Sequence, residues 1–175
     1  MTDRQGPRAV LVGFMGSGKT TVGQQLARAL KVAWIDSDSE IERRAGRSIP
    51  QIFTTDGESA FRDLEEQVVA DLLAEHTGVL SLGGGAVLST RTRERLAGHP
   101  VVYLKMSAEQ GFSRVSNSDR PLLRAEDPAA VYRDLLAERD PIYHTVATIV
   151  VDAHPHQRRV ADDIIAALST QEATQ

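Results

Sequence analysis

Gly13-Phe14-Met15-Gly16-Ser17-Gly18-Lys19-Thr20, with Thr21 next, keeps the spacing G-x-x-x-x-G-K-[ST] without a gap. Before it stands Ala9-Val10-Leu11-Val12, an apolar run of the kind that forms a buried parallel strand. After it, Thr20 to Leu30 reads as a helix with Val22, Leu26, Ala29 and Leu30 on one side. Strand, glycine loop and helix in that order separate a phosphate-binding loop from a chance match. Glycines let the chain curl until successive backbone N–H groups face one anion, and the helix N-terminus adds partial positive charge. Lys19 would then reach the β- and γ-phosphates, and the Thr20 hydroxyl would ligate Mg²⁺. These residues predict a nucleoside triphosphate site.

The totals narrow what surrounds that site. A chain of 175 residues, 41% hydrophobic and 25% charged, suits one soluble globular domain with a sizeable core. A formal charge of −4 and the lack of a long basic run give no reason to expect a nucleic-acid partner. Without cysteine there are neither disulfides nor thiolate metal sites, which fits a reducing cytoplasm. The stretch Met1–Pro7 lacks the apolar core of a signal peptide, and no apolar run approaches the roughly 20 residues needed to span a bilayer. The expectation is a cytoplasmic protein, and a monomer, since no amphipathic surplus calls for an interface.

Strands and helices alternate, which argues for an α/β fold with a parallel sheet. Five strands are expected, near Ala9–Gly13, Val32–Asp36, Val79–Leu82, Val101–Leu104 and Ala147–Val151. Helices are expected near Ser39–Ala45, Ile49–Thr54, Glu58–Glu75 (inner stripe Phe61, Leu64, Val68, Leu72) and Arg91–Leu96, and after Ser107, a good N-cap. From Ser113 to Asp127 the pattern lapses into a polar segment rich in arginine. Pro128 then opens a helix through Val131 and Leu135 to Arg139, with Pro141 as its stop. A last helix carries Val160, Ile164, Ile165 and Leu168, and the polar tail Ser169–Gln175 reads as frayed.

In an open parallel sheet, ligands gather beyond the carboxyl ends of the strands. The second strand ends in Asp36-Ser37-Asp38, two carboxylates that share a side if the segment is extended. One can help hold Mg²⁺ through its water shell, and the other can accept a proton from an attacking hydroxyl. Asp36 or Ser37 could instead cap the next helix. The third strand runs into Gly83-Gly84-Gly85, where only backbone can act, through close approach of a ligand and exposed N–H groups. Arg62 precedes Glu65 and Glu66 by one turn, so an ion pair can orient it. Arg139 continues the stripe of Val131 and Leu135, and an arginine on the core side of a helix needs an anion. Arg120, in the polar segment, is placed to close over a nucleotide and neutralise charge on a transferring phosphoryl group. Together the three arginines suggest an anionic second substrate.

With these residues laid out, the chain resembles the shikimate kinase family over most of its length. The features that carry the resemblance are the loop Gly13–Thr21, Asp36-Ser37-Asp38, Asp56-Gly57-Glu58 leading into Phe61-Arg62 and Glu65, Gly83-Gly84-Gly85, Arg120-Pro121-Leu122-Leu123 and Arg139-Asp140-Pro141-Ile142-Tyr143. The resemblance implies a P-loop kinase fold with strand order 2-3-1-4-5, residues 1–175 forming one domain. It implies a substrate-binding helical region at about 38–65 and a mobile lid at about 113–127. The implied reaction is transfer of the ATP γ-phosphate, with Mg²⁺, to the 3-hydroxyl of shikimate, on the way to chorismate and the aromatic amino acids. Carried over by position, acceptor contacts fall on Asp38, Arg62, Arg139 and the loop Gly83, Gly84 and Gly85, with Asp38 the candidate base and Glu65 positioning an arginine. Gly16, Ser17, Gly18, Lys19, Thr20 and Thr21 hold the nucleotide phosphates, Lys19 and Arg120 stabilise the transferring group, and Thr20 and Asp36 lie on the Mg²⁺ side. The family often has an arginine after the last strand. Here the loop reads Asp152-Ala153-His154-Pro155-His156-Gln157, so Pro155 or His156 takes that place against the adenine, with Arg114 opposite.

Rival readings are a related kinase with gluconate or a nucleoside monophosphate as acceptor, and a non-catalytic nucleotide-binding module. A GTPase-type switch needs Asn-Lys-x-Asp to read guanine, whereas Asn117 is followed by Ser118. The five histidines show no metal-ligand spacing beyond His154 and His156.

Overall fold

The computed structural model describes residues 5–118, 124–153 and 156–174. Arg120, with the Pro121-Leu122-Leu123 that follows it, and Pro155, with His154, lie outside the described residues.

Five parallel strands, β1 (Ala9–Val12), β2 (Trp34–Asp36), β3 (Val79–Ser81), β4 (Val101–Lys105) and β5 (Ile149–Asp152), form one sheet in the order 2-3-1-4-5. The sequence explains the order of burial. All four residues of β1 are buried, as a continuous apolar run requires when helices cover both faces, and so are all three of β3, whose Ser81 is hydrogen-bonded. At the β5 edge the pattern alternates instead: Ile149 and Val151 face the core while Val150 is 47% exposed. The register Val10↔Val101 and Val10↔Leu80 puts β1 in the middle, so the loop after it leaves from the centre of the sheet.

Around the sheet run α1 (Lys19–Leu30), α2 (Ser37–Ala45), α3 (Ile49–Glu75), α4 (Thr90–Leu96), α5 (Ala108–Val115), α6 (Pro128–Val146) and α7 (Gln157–Thr174). On α1 the buried residues are Val22, Gly23, Leu26 and Ala27, so Ala27 replaces the expected Ala29, which is exposed. The two helices expected either side of residue 57 are present as α3, broken at Gly57 with φ 86° and ψ 169°. That left-handed φ suits glycine, so the turn falls where the sequence supplies one. Ser48 and Gln51 close a capping box at its start, and Ser107 and Gln110 close another on α5. Residues 113–115 of the polar segment belong to α5.

Two expectations about helix ends are corrected. Pro141 does not stop α6, which continues to Val146. The ring removes one backbone bond, but the turn after it buries Tyr143 completely and the Tyr103 hydroxyl donates to Asp140, just before it, at 2.6 Å, so packing outweighs the local break. The tail is not frayed either, since α7 runs to Thr174. The Gln171 amide donates to the Thr148 carbonyl at 3.0 Å and Arg8 pairs with Glu172 at 3.3 Å, which ties the last turns to the sheet.

Candidate active site

The loop from β1 to α1 curls as its glycines allow. Gly18, with φ 89°, is the N-cap of α1 and places no side chain over the helix end, so the first N–H groups of α1 face the cleft. Lys19 folds back over the loop, its Nζ donating to the carbonyls of Gly13 at 2.7 Å and Phe14 at 3.2 Å. Ser17 is buried, with its Oγ lacking a hydrogen-bond partner, and Thr20 is exposed at the cleft. From α5, the Arg114 guanidinium donates to the Gly16 carbonyl at 2.9 Å. A cleft of about 340 Å³ is lined by Lys19, Thr20, Asp36, Asp38, Arg114 and Gln157, among others. Arg114 therefore stands at the phosphate loop itself, while His156 is exposed one residue before α7.

Asp36-Ser37-Asp38 is not extended throughout: the helix begins at Ser37, and of the two alternative caps it is Asp36 that serves. Asp36 caps α2 by accepting from the Ser39 N–H at 3.1 Å, and Asp38 sits in the first turn. Ser37, fully buried, accepts from the Gly83 N–H at 2.9 Å and so joins α2 to the glycine loop after β3. The helical turn still brings Asp36 and Asp38 to the same cleft. Burial of the Asp38 carboxylate, with the charge of Asp36 beside it, raises its pKa to about 6 against the opposing pull of Lys19 and Arg62.

A second, smaller pocket of about 190 Å³ adjoins the first and is lined by Asp38, Arg62, Arg139, Phe53, Phe61 and the three glycines. Asp38, Met15, Gly83 and Gly84 border both spaces. Arg62 donates to Glu65 at 2.7 Å and reaches Glu58 at 3.7 Å. Glu65 is buried, which raises its pKa although Arg62 pulls the other way. Arg139 lies over the Phe14 ring, 5.3 Å from its centroid. Two guanidinium groups thus face one small pocket whose floor is glycine backbone, an arrangement that accepts a compact anion.

The triple glycine serves the chain's own side chains as much as any ligand. A Cβ on Gly83 would stand 2.4 Å from Asp38 Oδ1, and one on Gly85 would stand 2.4 Å from an Arg62 nitrogen. On Gly84 it would meet nothing nearer than the Gly13 carbonyl at 3.5 Å, pointing between the phosphate loop and Tyr143. Gly83→Ala is therefore expected to displace Asp38 and cut turnover at least tenfold. Gly84→Ala should leave the fold's melting temperature unchanged and act on acceptor KM alone. Thermal melts and steady-state kinetics on the two variants decide this, and equal effects on kcat would refute it.

Several residues at the site were not singled out from the sequence. Gln157, the first residue of α7, places its amide beside Gly18. The inward stripe of α6 is Tyr132, Leu136, Arg139 and Tyr143 rather than Val131, Leu135 and Arg139; Val131 and Leu135 are only half-buried. Its spacing of four, three and four residues is a helical period and could have been read from the sequence. The Ser81 hydroxyl accepts from Trp34 at 3.0 Å and donates to the Lys19 carbonyl at 2.9 Å, tying β2 and β3 to the start of α1.

Comparison with known proteins agrees with this geometry. A sequence model of the family described as shikimate kinase matches residues 15–169. A shikimate kinase of Mycobacterium avium is 57% identical over 149 residues, 85% of either chain. A solved shikimate kinase from Acinetobacter baumannii, in complex with shikimate, superposes with a TM-score of 0.90 at 39% identity, covering 97% of this chain and 96% of that one. A gluconokinase from Sinorhizobium meliloti reaches a TM-score of 0.60 at 17% identity, covering 96% of this chain and 94% of that one, and shares the fold alone. Family match, identity along most of both chains and a common fold agree: this chain belongs to the shikimate kinase family.

Proposed function

We propose that the chain transfers the γ-phosphoryl group of ATP to the 3-hydroxyl of shikimate, releasing ADP and shikimate 3-phosphate. The observation that carries the reading is the adjacency of the two spaces: Asp38 borders both, with Lys19 in one and Arg62 and Arg139 in the other. The loop N–H groups of Gly16, Ser17 and Gly18 and the start of α1 at Thr20 and Thr21 hold the triphosphate. Arg62 and Arg139 take the acceptor carboxylate, whose planar geometry suits guanidinium. Asp38 then accepts the hydroxyl proton as the oxygen attacks phosphorus and the bond to the ADP oxygen breaks. Lys19 balances the charge on the phosphoryl oxygens, with Arg120 assigned the same task by resemblance. Little covalent help is asked of the protein, and positioning and electrostatics do most of the catalysis.

Asp36 and Thr20 line the Lys19 cleft, and a site with so few protein oxygens fits Mg²⁺, which keeps several waters. When bound there, the ion neutralises phosphate charge. We read residues 1–175 as one monomeric kinase domain, with residues 38–65 serving the acceptor and residues 113–127 the lid. Among the described residues no helix is long and apolar enough to cross a membrane, in keeping with a cytoplasmic site of action.

The test is ADP release by purified protein with Mg·ATP and shikimate, gluconate or a nucleoside monophosphate. Release that depends on shikimate alone supports the reading, and equal or better use of another acceptor overturns it. Arg139→Ala should remove a charge-assisted pair of about 1.5–3 kcal/mol, raising acceptor KM roughly 10- to 150-fold with a smaller change in kcat. A kcat loss without a KM change would place Arg139 elsewhere in the mechanism.

A further inference from the structure

The chain has three tyrosines, and all three are fully buried. Two of them, on the inward stripe of α6, send their hydroxyls to loop carbonyls far away in sequence. Tyr132 donates to the Met15 carbonyl in the phosphate loop at 2.6 Å, across 117 residues. Tyr143 donates to the Gly84 carbonyl in the triple-glycine loop at 2.6 Å, across 59 residues. Both acceptors border the two adjoining spaces, and Arg139 lies between the two tyrosines on the same helix.

We propose that Tyr132 and Tyr143 are positioning residues, their hydroxyls holding the phosphate loop and the acceptor loop at a fixed separation across α6. The proposal rests on the reading that triphosphate and acceptor occupy these adjoining spaces.

Independent features support it. Gly111 stands in the middle of α5, where glycine weakens a helix, and a Cβ there would fall 2.0 Å from the Tyr132 hydroxyl. The hydroxyl's path to Met15 thus crosses a gap that only glycine leaves open. On the other side, a Cβ on Gly16 would come within 2.7 Å of the Gly111 carbonyl, so phosphate loop, α5 and α6 close on one point. The Arg139 charge also acts on the Tyr143 hydroxyl, so the guanidinium lies near the group that holds the Gly84 carbonyl. Behind it, Tyr103 stacks on Tyr143 at 5.0 Å and bonds Asp140 at 2.6 Å, which braces α6 one residue from Arg139. Two aromatic rings would fill the core equally well as phenylalanine, whereas the carbonyl contacts need the hydroxyls.

The experiment is Tyr132→Phe and Tyr143→Phe in the full chain, which keep the rings, with Gly111→Ala as a second way to dislodge the Tyr132 hydroxyl. Tyr143→Phe is expected to raise acceptor KM at least fivefold with ATP KM within twofold. Tyr132→Phe and Gly111→Ala are expected to raise ATP KM at least fivefold, with acceptor KM moving less. ADP binding by calorimetry should weaken by the same factor in the Tyr132→Phe and Gly111→Ala variants and not in Tyr143→Phe. Variants that only melt earlier, with KM values and ADP affinity within twofold of the parent, overturn the proposal, as do KM values that rise in parallel. If the parent releases no ADP with shikimate, the acceptor reading has failed. The ADP titration then still decides the Tyr132 arm, and unchanged affinity there overturns the proposal by itself.

Discussion

Replacing Asp38 by asparagine is expected to lower kcat by about 10²- to 10⁴-fold, the range for losing a general base, while making the folded chain more stable. Both effects have one cause. The carboxylate is pressed against Gly83 beside Asp36, and its pKa stands at about 6 instead of 3.8. Between those two values the folded state holds the proton more tightly than the unfolded state, so stability falls as pH rises through the window. Above pH 6 the ionised group costs the fold its full amount. The gap corresponds to at most about 3 kcal/mol. The half-buried carboxylate keeps some access to cleft water, so a gain of roughly 1–3 kcal/mol at pH 7 is expected for the asparagine variant. Urea melts at pH 4.5 and 7.5 check it: the parent should lose stability over that interval relative to Asp38→Asn. Equal stability of parent and variant at both pH values would mean that Asp38 is not strained, and retained turnover would remove it as the base. In the parent, kcat/KM should fall as pH drops through about 6, because the proton-accepting form is lost.

Lys19→Ala is expected to reduce kcat by about 10²- to 10³-fold, the scale for removing one pre-organised charge from a transferring group, and to raise ATP KM. The ammonium also holds the loop, through the Gly13 and Phe14 carbonyls, in the curl that presents N–H groups to phosphate. A further consequence separates this role from simple loss of folding. Lys19 is one of the charges that lower the Asp38 pKa. Removing it should therefore shift the acid limb of the residual pH–rate profile upward. Unchanged circular dichroism with an upward-shifted limb is the expected combination. A normal kcat, or a limb that stays in place, would show that the lysine stands away from the reacting groups.

Much of the site was legible because its signals are short in sequence. The phosphate loop spans eight consecutive residues whose glycines, lysine and threonine act together, so spacing alone identifies them. The strand that leads into it declares its burial on both faces by being apolar throughout. Gly57 and the capping residues Ser48 and Ser107 set helix boundaries by local backbone chemistry. Even Arg62 and Glu65, three residues apart on one helix, could be paired in advance.

Other features depend on partners distant in the chain. The triple glycine announces a close approach, but not that the approaching groups are Asp38 and Arg62. Gly111 looks like a weak point in α5 until the Tyr132 hydroxyl is seen above it. Pro141 reads as a helix stop because local rules assign it a cost, and only the burial of Tyr143 and the bond from Tyr103 to Asp140 show what offsets that cost.

Local spacing thus determined that this chain builds a parallel sheet with a phosphate-binding loop at its centre, since strand burial, glycine conformation and helix capping act over a few residues. Tertiary structure decided how the acceptor side is assembled: Asp38 in a helical turn with a raised pKa, two guanidinium groups facing one pocket, and tyrosine hydroxyls reaching both glycine loops. Those features come from contacts between residues tens of positions apart, and desolvation and hydrogen bonding there depend on what the fold brings alongside.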